Sequence, residues 1–169
     1  LAVTKKGNLL RAPDIYMEKI AIGASLPKNL IDLDFSVEKN IKLLAEAKNK
    51  NPNKLRACVL KRPRHDKIIK ALNLLNVQID FISDGDVSGV ISVAYPQSNI
   101  DIYIGIGGAP EGVLAAAALD CLGCQMQTRL VFQSDDEKKR TLKLGITDLN
   151  KKYNINDMVK GDIIFSAAG

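Results

Sequence analysis

The chain has 169 residues, of which 46% are hydrophobic and 25% are charged, and this composition is typical of a soluble globular domain. No apolar run reaches the roughly 18 residues that a membrane-spanning helix requires, and the first residues lack a signal-peptide pattern. We therefore predict a protein without a membrane partner. The chain begins at Leu1 instead of methionine, which predicts that a further segment precedes it.

The net charge of +5 favours an acidic ligand, but it does not distinguish phosphosugars from nucleotides or nucleic acid. The chain has four tyrosines, four phenylalanines and no tryptophan, and no aromatic cluster accompanies the basic residues. A base-stacking surface is therefore poorly supported, and we predict no nucleic-acid partner. Three cysteines argue against a disulfide framework and indicate a reducing compartment, so we expect a cytoplasmic protein.

The first half of the chain alternates helical patterns with short β-type runs. Ser36 is a candidate N-cap for an amphipathic helix. A predicted strand over residues 57–60 is followed by a helix with Leu72 on its buried face, and then by a strand over residues 77–82. This alternation predicts an α/β fold.

The second half continues the alternation. Asp86 is a candidate N-cap for a third helix, Gly123 is a stop signal for a fourth, and Ser134 with Glu137 has the spacing of a capping box. The predicted strands of this half cover residues 100–104, 126–132 and 163–165.

Three polar segments, residues 61–65, 84–86 and 105–112, follow the C-terminal ends of predicted strands. Ligands of open α/β sheets bind at the C-terminal ends of the strands. If these strands are parallel neighbours, the three segments meet at one place. The sequence therefore predicts a binding site formed by all three.

The first segment contains Arg62 and Arg64 on either side of Pro63, which stiffens the turn. Paired guanidinium groups match phosphate oxygens bidentately, so the segment is a candidate phosphate site. A solvated basic cluster on the surface is the alternative interpretation. His65 is the only histidine, which excludes a site with several histidine ligands, and we expect a loop residue hydrogen-bonded to its neighbours.

The third segment is rich in glycine, and Pro110 stands at the expected first turn of a helix. Glycines such as Gly108 allow backbone N–H groups to approach a ligand, although the pattern matches neither a Walker loop nor a dinucleotide fingerprint. Glu111 either complements the helix dipole or binds a divalent cation that bridges it to a phosphate. In the second segment, Asp84 and Asp86 either form a turn with a helix cap or accept hydrogen bonds from sugar hydroxyls.

Several longer stretches resemble those of the class II fructose-1,6-bisphosphatases, and the likeness extends over essentially the whole chain. The stretches are Tyr16-Met17-Glu18-Lys19-Ile20, Arg62-Pro63-Arg64-His65, Asp84-Gly85-Asp86-Val87 and Gly105-Ile106-Gly107-Gly108-Ala109-Pro110-Glu111-Gly112-Val113. This family belongs to the lithium-sensitive phosphatase superfamily. The resemblance implies hydrolysis of the 1-phosphate of fructose 1,6-bisphosphate with Mn²⁺ or Mg²⁺, in gluconeogenesis, and in some members hydrolysis of sedoheptulose 1,7-bisphosphate.

The resemblance also implies roles for individual residues. The expected substrate contacts are Tyr16, Arg62, Pro63, Arg64, Asp84, Gly85, Asp86 and Gly108. Glu111 is the expected metal ligand, and the remaining acidic ligands of the family are expected upstream of Leu1. We therefore predict that the chain alone has no significant phosphatase activity, since hard cations require several oxygen ligands.

The fold implied by the resemblance is a layered α/β sugar-phosphatase fold. Residues 1–30 are expected to be the end of an N-terminal lobe. Residues 31–169 are expected to form an incomplete C-terminal lobe with a mostly parallel sheet flanked by helices, which binds the substrate. A homo-oligomer is expected. A phosphosugar-binding regulatory module without chemistry of its own is the alternative function.

Overall fold

The computed structural model describes residues 1–168, and Gly169, the last residue of the predicted second lobe, lies outside the described residues. The strands are β1 (Ala2–Thr4), β2 (Tyr16–Ile22), β3 (Arg56–Leu60), β4 (Gln78–Ile82), β5 (Ile102–Gly108), β6 (Gln125–Val131), β7 (Lys152–Asn154) and β8 (Ile163–Phe165). The helices are α1 (Val37–Ala47), α2 (Asp66–Leu74), α3 (Asp86–Ile91), α4 (Ala109–Cys121), α5 (Asp135–Lys143) and α6 (Ile155–Met158). No helix within residues 1–168 has the length and apolar character needed to cross a membrane.

Six strands form one mixed sheet in the order β4-β3-β5-β2-β6-β7, and β1 pairs with β8 in a separate ribbon. β3 is parallel to β4 and β5, whereas β2 is antiparallel to both β5 and β6, and β6 is antiparallel to β7. The expected α/β class is confirmed, but the expectation of a mostly parallel sheet is wrong. The physical reason is that β5 and β6, which α4 connects, run in the same direction but are not neighbours. β2 lies between them in the opposite direction, so two antiparallel pairs stand where one parallel pair was expected.

The sheet is covered on both faces, because alternate residues of a strand point to opposite sides. In β2, Met17 and Ala21 belong to one hydrophobic core, whereas Ile20 and Ile22 belong to the other. Helices α1 and α2 contribute to the second core, and α4 and α6 contribute to the first. Since β2 lies at the centre of this sheet, a domain boundary at residue 30 would divide neighbouring strands of one sheet. The two-lobe division stays a prediction.

The capping signals agree with the structure at three helix ends. Ser36 Oγ accepts the Lys39 N–H at 3.1 Å, and Ser134 Oγ accepts the Glu137 N–H at 3.2 Å. Gly123 adopts a left-handed φ of 66° just after α4, as its role as a stop signal requires.

Two local predictions are wrong. Asp86 is not the N-cap of α3, because Gly85, at a φ of 79°, precedes the helix and Asp86 is its first residue. The glycine-rich segment is not a loop at its start, because β5 extends to Gly108, and Gly105, Gly107 and Gly108 pair with residues of β2. A Cβ at Gly107 would overlap the buried Asp86 carboxylate, which explains why glycine occupies this position of the strand.

We expect Leu72→Ala to lower the free energy of unfolding by about 2–5 kcal/mol, because Leu72 is fully buried against α1 and the sheet. Leu74 lies two residues away on the same helix and is 69% exposed, so Leu74→Ala is the matched control and should change stability by less than about 0.5 kcal/mol. Urea unfolding of both variants measures the difference. Similar losses in the two variants would contradict the observed orientation of α2.

Candidate functional site

The three predicted segments do begin at one edge of the sheet. Leu60 and Ile82, the last residues of β3 and β4, are direct partners in the parallel register, and the Lys61 N–H donates to the Ile82 carbonyl at 2.8 Å. β5 runs parallel to β3 on its other side and ends at Gly108, which is opposite Tyr16 of β2. Parallel neighbours therefore bring residues 61–65, residues 84–86 and the start of α4 to the same end of the sheet.

Arg64 is exposed, but its position is fixed by two contacts. Its Nε–H donates to the Ile106 carbonyl at 2.9 Å, and its guanidinium carbon lies 4.8 Å from the centre of the Tyr16 ring. This arrangement is a cation–π contact, and it joins the first segment to β2. Within residues 1–168 neither Arg62 nor Arg64 forms an ion pair, so both guanidinium groups remain available to an anion.

His65 connects the same segment to the sheet through two buried hydrogen bonds. The ring is fully buried, its Nδ1 lies 2.5 Å from the Leu60 carbonyl, and its Nε2 lies 2.8 Å from the Ile106 nitrogen. Because Nε2 must accept the Ile106 N–H, the proton is on Nδ1 and the ring is neutral. Burial lowers the pKa of His65, which favours the same state. His65 is hydrogen-bonded, as expected, but the ring is buried and its partner Ile106 is 41 residues away in the chain.

Asp86 is the member of the predicted set whose side chain the structure buries. One carboxylate oxygen accepts the Tyr103 hydroxyl and the other pairs with the Lys19 ammonium group. All three side chains are almost fully buried. Burial lowers the pKa of Lys19, although Asp86 opposes this shift, and burial together with Asp86 raises the pKa of Tyr103. The role of Asp86 towards a sugar hydroxyl stays a prediction.

Lys19 and Tyr103 support the candidate site from below the surface, and the sequence analysis assigned neither of them a role. Lys19 lies between Met17 and Ala21 on the same buried face of β2, and this alternation is the signal that could have revealed it. A cation at an apolar strand position predicts a buried anionic partner, because an unpaired charge there is very costly. The partner itself is 67 residues away in the chain, beyond any local pattern.

Two glycines make room for this buried ion pair. A Cβ at Gly107 would overlap the Asp86 carboxylate and would lie 3.1 Å from the Lys19 Nζ. A Cβ at Gly112, on α4, would lie 2.6 Å from the Met17 sulfur and 3.1 Å from the Lys19 Cε. These glycines are therefore required by close packing against the ion pair.

The remaining predicted residues are at the surface of this edge. Asp84 is exposed, Gly85 provides the left-handed turn before α3, and Pro63 begins a short 3₁₀ turn that ends at His65. Gly108 precedes α4, and its N–H donates to Glu111 at 3.2 Å. Glu111 thus caps the helix from an exposed position.

The described residues do not form a complete site for Mn²⁺ or Mg²⁺ by themselves. Residues 1–168 contain no group of three or more His, Cys, Asp or Glu side chains placed to hold a metal ion. Glu111 alone supplies at most two oxygen atoms, whereas Mg²⁺ takes about six ligands. The role of Glu111 as a metal ligand stays a prediction.

We expect Asp86→Ala to lower the free energy of unfolding by about 3–5 kcal/mol, because it leaves the Lys19 charge buried without its partner. Asp84→Ala, at an exposed position two residues away, should cost less than about 0.5 kcal/mol. Adding Lys19→Met to Asp86→Ala should restore part of the loss. Urea unfolding measures the stability of all three variants. A double variant no more stable than Asp86→Ala alone would show that the unpaired Lys19 charge does not cause the loss of stability.

The comparisons with known proteins agree on one family. The sequence model described as bacterial fructose-1,6-bisphosphatase, glpX-encoded, matches residues 1–169. The D-fructose 1,6-bisphosphatase class 2/sedoheptulose 1,7-bisphosphatase of Trichodesmium erythraeum is 37% identical over 182 residues, which cover 100% of this chain and 52% of the relative. The fructose-1,6-bisphosphatase class 2 of Haemophilus influenzae is 38% identical over 183 residues, covering 100% of this chain and 54% of the relative.

The chain thus spans about half the length of the curated relatives that it matches. Its whole length nevertheless matches the family model, and the strand ends bring together the residues on which the family resemblance rests. The chain belongs to the family of bacterial glpX-encoded fructose-1,6-bisphosphatases.

Proposed function

We propose that this chain supplies the sugar-phosphate-binding residues of a metal-dependent sugar bisphosphatase. The reaction is hydrolysis of the 1-phosphate of fructose 1,6-bisphosphate, and sedoheptulose 1,7-bisphosphate is a second candidate substrate because the name of the Trichodesmium relative includes it. The observation that carries the proposal is the presence of Arg62 and Arg64, without ion pairs among residues 1–168, at the edge where Asp84 is exposed.

In this proposal the arginines bind phosphate. Arg64 uses its Nε–H on the Ile106 carbonyl and has no other hydrogen bond among residues 1–168, so its terminal nitrogens are free to contact phosphate oxygens. The Tyr16 ring holds the guanidinium plane from one side, which reduces the entropy lost when the ligand binds. Rigid pairs of guanidinium groups are better suited to a phosphate than solvated lysines are.

Asp84 and Asp86 have different parts in this proposal. Asp84 is exposed and accepts hydrogen bonds from sugar hydroxyls. Asp86 contacts the sugar only if it shares an oxygen with Lys19 or Tyr103, and its main contribution is to fix the start of α3. Pro63 and Gly85 hold the two turns, and Gly108 presents the backbone at the start of α4.

The metal chemistry of the proposed reaction requires more ligands than residues 1–168 supply. Glu111 is the one carboxylate proposed to reach Mn²⁺ or Mg²⁺, and it stands in the first turn of α4. A cation at that point would neutralise the repulsion between Glu111 and the phosphate. We further propose a homo-oligomeric, cytoplasmic enzyme that acts in gluconeogenesis, as the resemblance to the class II fructose-1,6-bisphosphatases implies.

The second candidate is a regulatory module that binds phosphosugars without hydrolysing them. The observation that favours it is that the arginines, Asp84 and the start of α4 lie at one edge of the sheet, whereas residues 1–168 lack a group of metal-binding side chains. The two candidates share the same ligand, so a binding experiment supports either one and an activity experiment separates them.

We expect residues 1–169 to bind fructose 1,6-bisphosphate, and we expect Arg64→Ala to weaken binding by about tenfold or more, because a charge-assisted bidentate contact is lost. Isothermal titration calorimetry measures both. Arg64→Lys should recover only part of the affinity, since lysine keeps the charge but lacks the fork geometry.

Arg140→Ala is the matched control for this titration. Arg140 is an exposed arginine on α5, and its one ion pair within residues 1–168 is the helical contact with Asp136, at 3.4 Å. The Arg140→Ala variant should bind fructose 1,6-bisphosphate with the affinity of the unaltered chain. Equal weakening by Arg64→Ala and Arg140→Ala would show that net charge, and not this edge, holds the ligand.

We expect no Mn²⁺-dependent phosphate release from fructose 1,6-bisphosphate by residues 1–169 alone, because one carboxylate cannot hold the cation. The Haemophilus influenzae relative, assayed under the same conditions, is the positive control. Phosphate release by the chain at the rate of that control would contradict the prediction.

A further inference from the structure

A cavity of about 750 Å³ lies at the opposite end of the sheet from the candidate site. Its lining includes Arg56 and Gln78, the first residues of β3 and β4, and Asp101, which immediately precedes β5. The candidate site is at the last residues of the same strands. The two places are therefore separated by the full length of the parallel part of the sheet.

The lining of this cavity is strongly basic. Three lysines, Lys48, Lys50 and Lys54, line it together with Arg56, and Asp101 is its one acidic residue. Arg56 is neutralised by Asp80, which its guanidinium group contacts at 3.0 and 3.1 Å. The three lysines and Asp101 remain, and their charges sum to +2.

Asp101 holds two of these lysines in place. Its carboxylate is almost fully buried, and one oxygen accepts from the Lys48 ammonium and, at 3.3 Å, from that of Lys50. The other oxygen accepts the Arg56 backbone N–H at 2.9 Å. A fixed carboxylate thus brings two ammonium groups to the same wall of the cavity.

One lysine would neutralise the charge of Asp101, so the need to pair this carboxylate does not explain the presence of three lysines. Each ammonium group has three N–H donors, and Lys48 and Lys50 each use one on Asp101. Lys54 forms no ion pair among the described residues. The part of the cavity lined by the lysines therefore has several unused N–H donors and an excess of positive charge.

Another part of the lining suits the carbon part of a ligand. Tyr95 is 52% exposed and lines the cavity beside Pro96. The volume falls in the range of about 300–1,000 Å³ that is usual for small-molecule sites. Lysine ammonium groups are common ligands of phosphate, which they bind as point charges.

From this geometry we infer that the cavity is a second anion site, which binds the phosphate of a small phosphorylated metabolite on Lys48, Lys50 and Lys54. The site is separate from Arg62 and Arg64, and the inference does not depend on the proposed bisphosphatase function. Asp101 is the positioning residue of this site, since its almost fully buried carboxylate holds two of the lysines at the cavity.

The test is a titration of the ¹⁵N-labelled chain with inorganic phosphate, followed by amide chemical shifts. It is performed on the Arg64→Ala variant so that phosphate binding at the candidate site is weakened, and the positions of the shifted amides separate the two sites. We expect saturable shifts at residues 48–56 and 93–101. Lys48→Gln with Lys54→Gln should weaken the fitted affinity by about tenfold, because two charged contacts are lost.

Lys138→Gln with Lys143→Gln is the matched control, since it removes the same charge from the exposed helix α5 and should leave the affinity unchanged. A linear, unsaturated response, or equal weakening in both double variants, would overturn the inference. The amide spectrum of each variant also reports whether its fold is intact.

Fructose 6-phosphate and unphosphorylated fructose, as further probes, identify the form of the phosphate. Tighter binding of the ester than of inorganic phosphate, with no response to fructose, supports a phosphorylated metabolite. Binding of inorganic phosphate with no response to the ester would overturn the assignment of a metabolite.

Discussion

The buried contact of Asp86 with Lys19 and Tyr103 is the constraint on which the candidate site depends. It joins the first turn of α3 to β2 and β5, three elements that are distant in the chain. A buried ion pair is stable only if its remaining polar atoms are also satisfied, and here both carboxylate oxygens have partners. The cost of separating these groups fixes α3 against the sheet. The exposed turn at Asp84 and Gly85 takes its position from that attachment.

His65 does the same for the arginine segment, without a charge. Its two ring nitrogens connect the end of β3 to the middle of β5, so the segment that carries Arg62 and Arg64 cannot move independently of the sheet. The edge therefore has two layers. Buried side chains whose polar atoms each have a hydrogen-bond partner lie underneath, and the exposed groups of Arg64 and Asp84, which have donors and acceptors left for a ligand, lie above them. Such a supported arrangement is what a preorganised site requires.

Local sequence signals were sufficient for part of this fold. Side-chain caps and left-handed glycines act over three or four residues, so Ser36, Ser134 and Gly123 were identified correctly. β2 was missed because Lys19 interrupts an otherwise apolar alternation, and its partner Asp86 is far away in the chain. Glycines predict loops from local sequence, whereas Gly107 lies in a paired strand and is glycine because the Asp86 carboxylate occupies the space that a Cβ would need. The convergence at the edge was predictable, whereas the buried support was not.

The two ends of the sheet use the same pair of residue types with opposite results. At one end Lys19 and Asp86 are 0% and 4% exposed, so their charges cancel out of contact with water and the pair is structural. At the other end Asp101 is 5% exposed, but Lys48 and Lys50 are 28% and 43% exposed, so the ammonium groups reach solvent while the carboxylate does not. The exposure of the cation, and not the presence of the pair, decides whether positive charge is available to a ligand. Because exposure is set by packing between distant elements, the net charge of the chain cannot show which of its lysines serve the fold and which face the solvent.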